Sequence, residues 1–498
     1  MRFTDIRDDL LPTGQLTIWV PTDETAARAA HAPTDPRRTS HNQEGHIARA
    51  LARHLDPELQ AAVTDPTAAA GRAAPTGWLA VRFDVPPTNE HGLRRAFERW
   101  IDRHETLRSG FRQDPAQPGG MAIERFTLPP DWVKLESVEL GHHTDPAELA
   151  DHLEDLFNAS TDAVSWPAYV FAAISSAGST SVILAFNHLN VDGYSMLLMA
   201  REVRELVDAD REGRPANLPP IASYLDFVEA EREMASQAIA SHDAVDQWNT
   251  FLGADGTVPV FPLPDGLPPG SQIPQSSCCL PILTEAEAAV FSRWCRQHGV
   301  SAGAGFLGAF TLAVNRRRET LADNAEETER FRVLVSTHTR HEAHWAESLG
   351  WFTAVAPFDV TLPSGLDLDE VLPTVDDAWA RAKRGAALPL ARIGELLGQP
   401  VEPRFVISYL DARHARGGDR WEAWNSHAYF GDVGPSDEVY AWINRLPTET
   451  YLTWRFPGND VCRTEIEAVT ALMAQIIHEI VSTGPAAHRT AEEISKTW

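Results

Sequence analysis

The sequence predicts a mixed helix-and-strand protein, of the α/β or α+β sandwich class, divided into two lobes. Segments with helical spacing of apolar residues alternate with short, strongly apolar runs in both halves of the chain. The length of 498 residues exceeds that of an ordinary single domain, and a hydrophobic content of 43% can fill a sizeable core. We therefore predict an N-terminal lobe, residues 1–218, and a C-terminal lobe, residues 219–498.

In the first half, amphipathic patterns predict helices on either side of a strongly apolar strand. Asn89 precedes apolar residues at helical spacing, as an N-cap does, and Pro146 suits the first turn of a second helix. The run from Val182 to Phe186 predicts a strand that is buried on both faces. The predicted elements are helices at 89–107, 144–157 and 195–207, the strand at 182–186, and a linker at 215–224 with a helix after it.

The second half repeats this mixture. Thr464 and Glu467 have the spacing of a capping box, which predicts that the last helix begins at Thr464. The other predicted elements are helices at 284–297 and 301–317 and strands at 331–337, 354–360, 404–410 and 451–456.

Composition excludes several classes of partner. With 43 Lys and Arg against 70 Asp and Glu, the formal net charge is −27, which disfavours nucleic acid and anionic membranes. No run approaches the roughly 18 apolar residues of a membrane-spanning helix, so no membrane insertion is expected. The four cysteines lack CxxC spacing, and the first thirty residues lack the order of a signal peptide. We therefore expect a cytoplasmic monomer.

Two stretches resemble known binding motifs but lack the neighbouring structure or the spacing that those motifs need. Residues 303–308, GAGFLG, match a dinucleotide fingerprint in letters only, because the preceding segment is helical and Ser301 is placed to cap the next helix. His338, His341 and His344 are spaced by three rather than by the four of a helical metal site. We expect a close-packed helix in the first case, a solvated polar connection in the second, and no metal site.

The stretch NHLNVDG, residues 187–193, follows the apolar strand directly and carries the strongest chemical pattern. His188 has a side chain that can accept and return a proton near neutral pH. Gly193 would let the chain turn, Ser195 would begin the next helix, and a buried Asp192 would need an Arg partner. The alternative interpretation is a satisfied core histidine beside an Asp-Gly turn, and the residues alone leave both open.

A family resemblance covers nearly the whole chain. NHLNVDGYS (187–195) resembles the HHxxxDGxS signature of condensation domains of nonribosomal peptide synthetases and of polyketide-associated acyltransferases, in the chloramphenicol-acetyltransferase-like superfamily. The order of the other motifs is also similar to the family's. These motifs are RHETLRSGF (103–111), SYLDF (223–227), QWNTFL (247–252), THTRHEAHWAESLGWFTAVAPFDV (337–360) and FVISYLDA (405–412).

The resemblance implies two chloramphenicol-acetyltransferase-like lobes in a V-shaped pseudo-dimer, with a tunnel between them. It implies that His188 is the catalytic histidine and that Asp192 pairs with Arg340; Arg103 and Arg108 are weaker candidates for this partner. Asn187 departs from the signature, which has His there. Gly193, Ser195, Trp351 and Ser408 are expected to contact substrate.

The implied reaction joins a thioester-bound acyl group to an amine or hydroxyl of a small-molecule acceptor, in natural-product or lipid biosynthesis. No cofactor is implied. Because the chain contains no carrier segment, the substrate would be an acyl-CoA or a phosphopantetheinyl thioester on a separate acyl or peptidyl carrier protein. The rival functions are a catalytically silent docking module, suggested by Asn187, and an epimerase-like relative that uses the same histidine at an α-carbon.

Overall fold

Helices and strands interleave along the chain, which confirms the predicted mixed class. The computed structural model describes residues 1–55, 75–113, 123–176, 178–321 and 328–483. The strands are β1 (Phe3–Thr4), β2 (Gly14–Pro21), β3 (Leu79–Val85), β4 (Ser109–Gln113), β5 (Ile123–Thr127), β6 (Leu135–His143), β7 (Tyr169–Ser175), β8 (Thr180–Phe186), β9 (Gln275–Thr284), β10 (Thr328–His338), β11 (Thr353–Pro363), β12 (Phe405–Asp411), β13 (His427–Phe430), β14 (Val439–Arg445) and β15 (Glu449–Pro457). The helices are α1 (Asp23–Ala30), α2 (His41–Leu55), α3 (Glu90–Arg103), α4 (Glu105–Arg108), α5 (Pro146–Ser160), α6 (Gly193–Glu212), α7 (Tyr224–Ser236), α8 (Asp243–Leu252), α9 (Glu285–Gln297), α10 (Ala302–Leu321), α11 (Leu368–Gly385), α12 (Leu390–Leu397) and α13 (Asp460–Thr483).

The chain forms two compact units, and each is built from three separate stretches. The first unit comprises Met1–Ala238, His338–Thr353 and Ala415–Gly434, and the second comprises Ile239–Thr337, Ala354–His414 and Pro435–Trp498. The segment 187–195 and the segment 340–352 therefore belong to the same unit, although they are far apart in sequence.

A seven-stranded sheet organises the first unit. Its strand order is β1-β13-β3-β8-β7-β2-β6, so β8 lies between two antiparallel neighbours, β3 and β7. All seven residues of β8 are buried, as the apolar run predicts. Because both edges of β8 are hydrogen-bonded and both faces are covered, its carboxyl end is a rigid point from which the next residues leave the sheet.

The second unit contains a six-stranded sheet in the order β11-β10-β12-β14-β15-β9. Its central pairs, β10 with β12 and β12 with β14, are parallel, while β14, β15 and β9 are antiparallel. The GAGFLG stretch lies in α10, where a Cβ at Gly305 would approach the Cys295 sulfur of α9 to 2.3 Å. The prediction of a close-packed helix rather than a dinucleotide loop is confirmed.

Two predicted helix boundaries are wrong for identifiable reasons. The helix predicted at 89–107 ends at Arg103, because His104 has an extended backbone and its ring is bound to other segments; α4 then follows. The last helix begins at Asp460 rather than at Thr464, and the Asn459 side chain accepts from the N–H of Cys462 at 2.9 Å. Thr464 donates back to the Asp460 carbonyl, a bond that a threonine inside a helix can make.

In the described parts of the chain, no helix has both the length and the apolar character needed to cross a lipid bilayer.

Candidate active site

The central strand of the first unit ends in a polar turn that begins with Asn187. The Asn187 Nδ2 donates to the Thr161 carbonyl at 2.7 Å, and Oδ1 accepts from the N–H of Leu189 at 3.0 Å. The Asn187 backbone N–H also donates to the Ala168 carbonyl at 2.8 Å. Because Asn187 is 1% exposed, its amide holds the turn to the neighbouring connection rather than facing a substrate.

This geometry accounts for asparagine where the family signature has histidine. The site requires one donor and one acceptor, and an amide or a neutral imidazole can supply both. Asn187 therefore supports His188 through the backbone of the turn.

Asn187→Ala is expected to lower the free energy of unfolding by about 1–3 kcal/mol, because it leaves two buried backbone groups without their partner. Chemical denaturation measures this loss. Asn217→Ala is the matched control, since Asn217 is exposed, and its stability should change by less than about 0.5 kcal/mol. Equal stability of Asn187→Ala and the unmodified protein would contradict this role of the amide.

His188 follows Asn187 and is the half-buried residue of an otherwise buried turn. Its ring packs against the indole of Trp351, with ring centroids 4.0 Å apart and planes at 34°. His46, from α2, contacts Trp351 at a centroid distance of 5.6 Å in an edge-on arrangement. The Tyr224 hydroxyl donates to the Trp351 carbonyl at 3.3 Å. The plane of the His188 ring is therefore set by an indole whose own backbone is anchored.

A buried ion pair joins the two distant segments of the site. Arg340 donates to both carboxylate oxygens of Asp192, with Nη1 2.7 Å from Oδ2 and Nη2 3.0 Å from Oδ1. Asp192 also accepts from the N–H of Ser195 at 2.8 Å and from the N–H of Phe352 at 3.0 Å. The Arg340 guanidinium lies 4.2 Å from the Phe352 ring centroid, a cation–π contact. Asp192 thus caps α6 and holds the segment that carries Trp351.

The environment of Asp192 keeps its carboxyl ionised. Burial opposes ionisation, but the charge and hydrogen bonds of Arg340, together with hydrogen bonds from Ser195, outweigh it and lower the pKa of Asp192. A carboxylate with this many partners has no free position from which to take a proton in a reaction. Asp192 is therefore a structural residue.

Ser195 belongs to this network, contrary to the expectation that it contacts substrate. It is 0% exposed, and its hydroxyl lies 2.8 Å from Asp192 Oδ1 and 2.9 Å from Arg340 Nη2. The N–H of Gly350 also donates to this hydroxyl at 3.3 Å. A hydroxyl with these partners stabilises the ion pair and has no access to a ligand.

Gly193 is the first residue of α6 and is half-buried. Its φ lies outside the left-handed region, so the sharp turn expected from the sequence does not require glycine here. A Cβ built at Gly193 would meet nothing within 4 Å. The absence of a side chain therefore leaves open space at the N-terminus of α6, where backbone N–H groups point out of the helix.

A second buried carboxylate, that of Glu202, binds α6 to the segment that contains Trp100, Arg103 and His104. Glu202, which is 0% exposed, accepts from Arg103 at 3.0 Å, from His104 at 2.6 Å and from Trp100 at 2.9 Å. The N–H of Leu349 lies 3.4 Å from His104 Nδ1, so the same ring contacts both Glu202 and the segment before Trp351. This network connects the RHETLRSGF segment to α6 and to the segment before Trp351.

Neither of the two weaker candidates is the partner of Asp192. Arg103 pairs with Glu202, and Arg108 donates to the Leu128 carbonyl. The partner is Arg340, the residue that the resemblance implies.

Ser408 belongs to β12, a strand of the second unit. It lines a cavity of about 10 Å³ with Tyr409, Leu307 and Trp379, which is room for about one water molecule. His338, His341 and His344 are exposed, as expected for a solvated connection. Within the described ranges, no group of three or more His, Cys, Asp or Glu is arranged to hold a metal ion.

Sequence reasoning missed the contribution of α2. Gln43 Nε2 donates to the carbonyl of Leu189, the residue after His188, at 2.9 Å, and Gln43 Oε1 accepts from Arg125 at 2.9 Å. His46 contacts Trp351 from the same helix. Nothing in the spacing of residues 40–47 marks them as site residues, because only the tertiary fold brings them beside the turn.

Comparisons with known proteins identify the family of the chain. A family model described as the condensation domain matches residues 82–411. The trehalose-2-sulfate acyltransferase PapA2 of Mycobacterium tuberculosis is 27% identical over 490 residues, which cover 95% of this chain and 96% of PapA2. The acyltransferase PapA3 of the same organism is 23% identical over 489 residues, which cover 96% of each chain. The solved structure of the PapA2 acyl transferase matches with a TM-score of 0.80 at 25% identity, covering 97% of this chain and 100% of that one.

Proposed function

This chain belongs to the condensation-domain family, and from that premise we propose that it moves an acyl group from a thioester to a hydroxyl or amine of a small molecule. The observation that carries the proposal is the environment of His188. The imidazole is half-buried, packs against the indole of Trp351 and lies at the end of the central strand. The relation to acyltransferases over nearly the whole chain supports the same reaction class.

In the proposed reaction, a nitrogen of His188 accepts the proton of the acceptor hydroxyl or amine as its heteroatom attacks the thioester carbonyl. The new ester or amide bond forms, the carbon–sulfur bond breaks, and the proton passes from the imidazolium to the thiolate. The chemistry is redox-neutral and requires no cofactor beyond the thioester itself. General-base catalysis of this kind contributes about 10² to 10⁴ in rate.

Trp351 supports this role because an aromatic face stabilises a positive charge close to it. His188 becomes an imidazolium during the transfer, and cation–π stabilisation is about 0.5–2 kcal/mol. The same contact limits rotation of the ring, so the accepting nitrogen keeps one direction.

Gly193 is proposed to meet the oxyanion that forms on the thioester carbonyl. Its N–H lies at the N-terminus of α6, where the helix has a partial positive charge. The open space beside its Cα is room for the carbonyl to approach.

Gly193→Ala is expected to leave the fold intact and to lower turnover. Alanine favours the helix by up to about 1 kcal/mol over glycine, and the added methyl group meets no protein atom within 4 Å. It occupies the space proposed for the carbonyl, so kcat should fall, by less than the roughly 10²–10³ that follows loss of a whole oxyanion donor. Thermal unfolding and steady-state kinetics together test this, and an unchanged kcat would remove Gly193 from the proposed site.

The donor class is proposed as an acyl-CoA or an acyl group on a separate carrier protein. Condensation domains act on carrier-bound substrates, while the name of PapA2 states that its substrate is a sulfated sugar, trehalose 2-sulfate. The latter favours a hydroxyl acceptor for this chain over an amine, and an ester product over an amide.

A panel of acyl-CoA and acyl-carrier donors, each offered with hydroxyl and amine acceptors and analysed by product mass, tests the proposal. A new ester or amide with one donor class supports it. Transfer from neither class would contradict it and would favour the docking-module alternative. Exchange of an α-hydrogen of a carrier-bound acyl group for solvent deuterium, without transfer, would favour the epimerase-like alternative.

A further inference from the structure

Four arginines of the first unit converge on one face, which we call the arginine face. Arg201 and Arg204 lie on α6, and Arg416 and Arg420 lie on the loop that precedes β13. Arg416 and Arg420 are exposed, while Arg201 and Arg204 are half-buried. None of the four lies in a motif that the sequence pattern marks as functional.

The fold builds this face by close packing of the loop onto α6. Gly417 has a φ of +83°, and a Cβ there would lie 3.0 Å from the Trp424 ring and 3.2 Å from the Cβ of Arg201. Only glycine tolerates both the backbone conformation and the contact. Trp424 is 8% exposed, and its carbonyl accepts from the N–H of Asp84 in β3 at 2.7 Å. The arginines are therefore presented by a fixed loop and a rigid helix.

Two of the four guanidinium groups share one ring. The Arg204 Cζ lies 5.1 Å and the Arg420 Cζ lies 5.6 Å from the centroid of Trp424. Arg204 also donates to the Asp84 carbonyl. In the described part of the chain, no carboxylate lies within salt-bridge distance of Arg204 or Arg420, although the charges of Asp208 and Asp84 also act on Arg204.

The other two share one carboxylate. Arg201 lies 2.9 Å from Glu347 Oε2, and Arg416 lies 2.7 Å from Glu347 Oε1. Glu347 is thus shared by Arg201 and Arg416, while the carboxylates of Asp208 and Asp84 partly offset the charge of Arg204, in a chain whose formal net charge is −27. Like charges held this close repel each other unless an anion neutralises them.

The arginine face is connected through the backbone at Glu347 to the Asp192–Arg340 pair. Glu347 is followed by Ser348, whose carbonyl accepts from Arg340 at 3.3 Å. At a rise of about 1.5 Å per residue, Arg201 and Arg204 lie roughly 12 and 17 Å along α6 from Gly193. A substrate whose reacting group is at His188 could therefore place a charged group at this face.

We propose that the arginine face binds a phosphate or sulfate ester group of a substrate. The planar guanidinium fork matches the oxygens of either group, and arginine is the usual residue for their recognition. Two sources carry this chemistry: the phosphates of a CoA or phosphopantetheine donor, and a sulfate or phosphate on the acceptor. The proposal rests on the proposed acyl transfer for its substrates, but the binding itself can be measured without turnover.

Isothermal titration at low salt with coenzyme A, inorganic pyrophosphate and sulfate tests the binding. The variant Arg204→Gln/Arg420→Gln is expected to bind the anion that the unmodified protein prefers about tenfold more weakly, since hydrogen bonds to charged groups are lost. Arg95→Gln is the control, because Arg95 is an exposed arginine of α3 that pairs with Asp210 outside this face. Equal affinity in the double variant, or no binding of any of the three probes by the unmodified protein, would overturn the proposal.

Kinetics identify the source of the anion. If the face binds the donor, the KM for an acyl-CoA should rise about tenfold in the double variant, while the KM for the matching N-acetylcysteamine thioester, which lacks phosphate, stays unchanged. If it binds the acceptor, the variant should lose its preference for a sulfated or phosphorylated acceptor over the plain one. Normal turnover with neither change would show that the face is no substrate site. Absence of turnover in the unmodified protein and in both variants would contradict the acyl-transfer function. The titration would then decide whether the arginine face binds an anion.

Discussion

Replacing His188 with alanine is expected to lower turnover by about 10² to 10⁴ while the protein stays folded. The imidazole is the group proposed to take the proton of the acceptor, and no other residue of the buried turn can replace it. Asn187 is bound to Thr161 and Leu189, and Asp192 is bound to Arg340. Product formation from the donor that the panel identifies, measured per folded molecule, gives the effect.

The stability of the His188→Ala variant should be close to that of the unmodified protein, because the half-buried side chain packs mainly on Trp351. His142→Ala is the control for loss of a histidine, since His142 is exposed on β6. A His188→Ala protein with nearly unchanged kcat would contradict the proposed base. A variant that unfolds would instead support the alternative interpretation of a core histidine.

Asp192→Ala is expected to have the largest effect on stability, a loss of about 3–5 kcal/mol. The substitution leaves the buried Arg340 charge without its partner and removes the acceptor for the N–H groups of Ser195 and Phe352. Such a loss is a large fraction of the stability of an ordinary domain, so poor solubility is also expected. Urea denaturation of the purified protein measures it.

A double variant distinguishes the cost of the unpaired Arg340 charge from the cost of losing the N-cap of α6. Asp192→Ala/Arg340→Met should recover part of the lost stability, because the stranded charge is gone although α6 still lacks its cap. If the double variant were no more stable than Asp192→Ala, the ion pair would not be the cause. Normal stability of Asp192→Ala with lost activity would place Asp192 in the chemistry itself.

The contribution of the Asp192 carboxylate to the free energy of unfolding depends on pH in a definite direction. The pKa of Asp192 in the folded protein lies below its ordinary value of 3.8, so the carboxylate stabilises the fold fully above that value. The contribution is lost as the pH falls through the lowered pKa. The difference in unfolding free energy between the unmodified protein and Asp192→Asn should therefore be constant near neutral pH and should shrink in acid.

Much of the local structure follows from the order of residues. The apolar run before Asn187 predicts the central strand, and helical spacing predicts α6 and α10 to within a few residues. These features are local, because the period of apolar residues and the capping groups lie within one element. The last helix shows the limit of this reasoning. Thr464 and Glu467 have the spacing of a capping box, but the side chain that accepts from a backbone N–H at the start of the helix is that of Asn459.

The environment of the candidate site depends on contacts between distant residues. Asp192 and Arg340 are 148 positions apart, and only the resemblance to a family suggested this pair. The contacts of His46 with Trp351 and of Gln43 with Leu189 have no sequence signal at all. Ser195 is in the signature, yet burial in the ion-pair network gives it a role that the motif does not reveal.

By itself, the sequence determined the class of the fold, the central strand and the polar turn with His188 at its end, because each of these follows from spacing along the chain. Only the tertiary structure decided that Asn187 holds the turn, that Glu202 of α6 binds Arg103, His104 and Trp100, and that two arginines share Glu347 while two others share Trp424. Hydrogen bonds, ion pairs and ring contacts act over a few ångströms in space. Residues that are far apart in sequence therefore acquire these roles only when folding brings their atoms together.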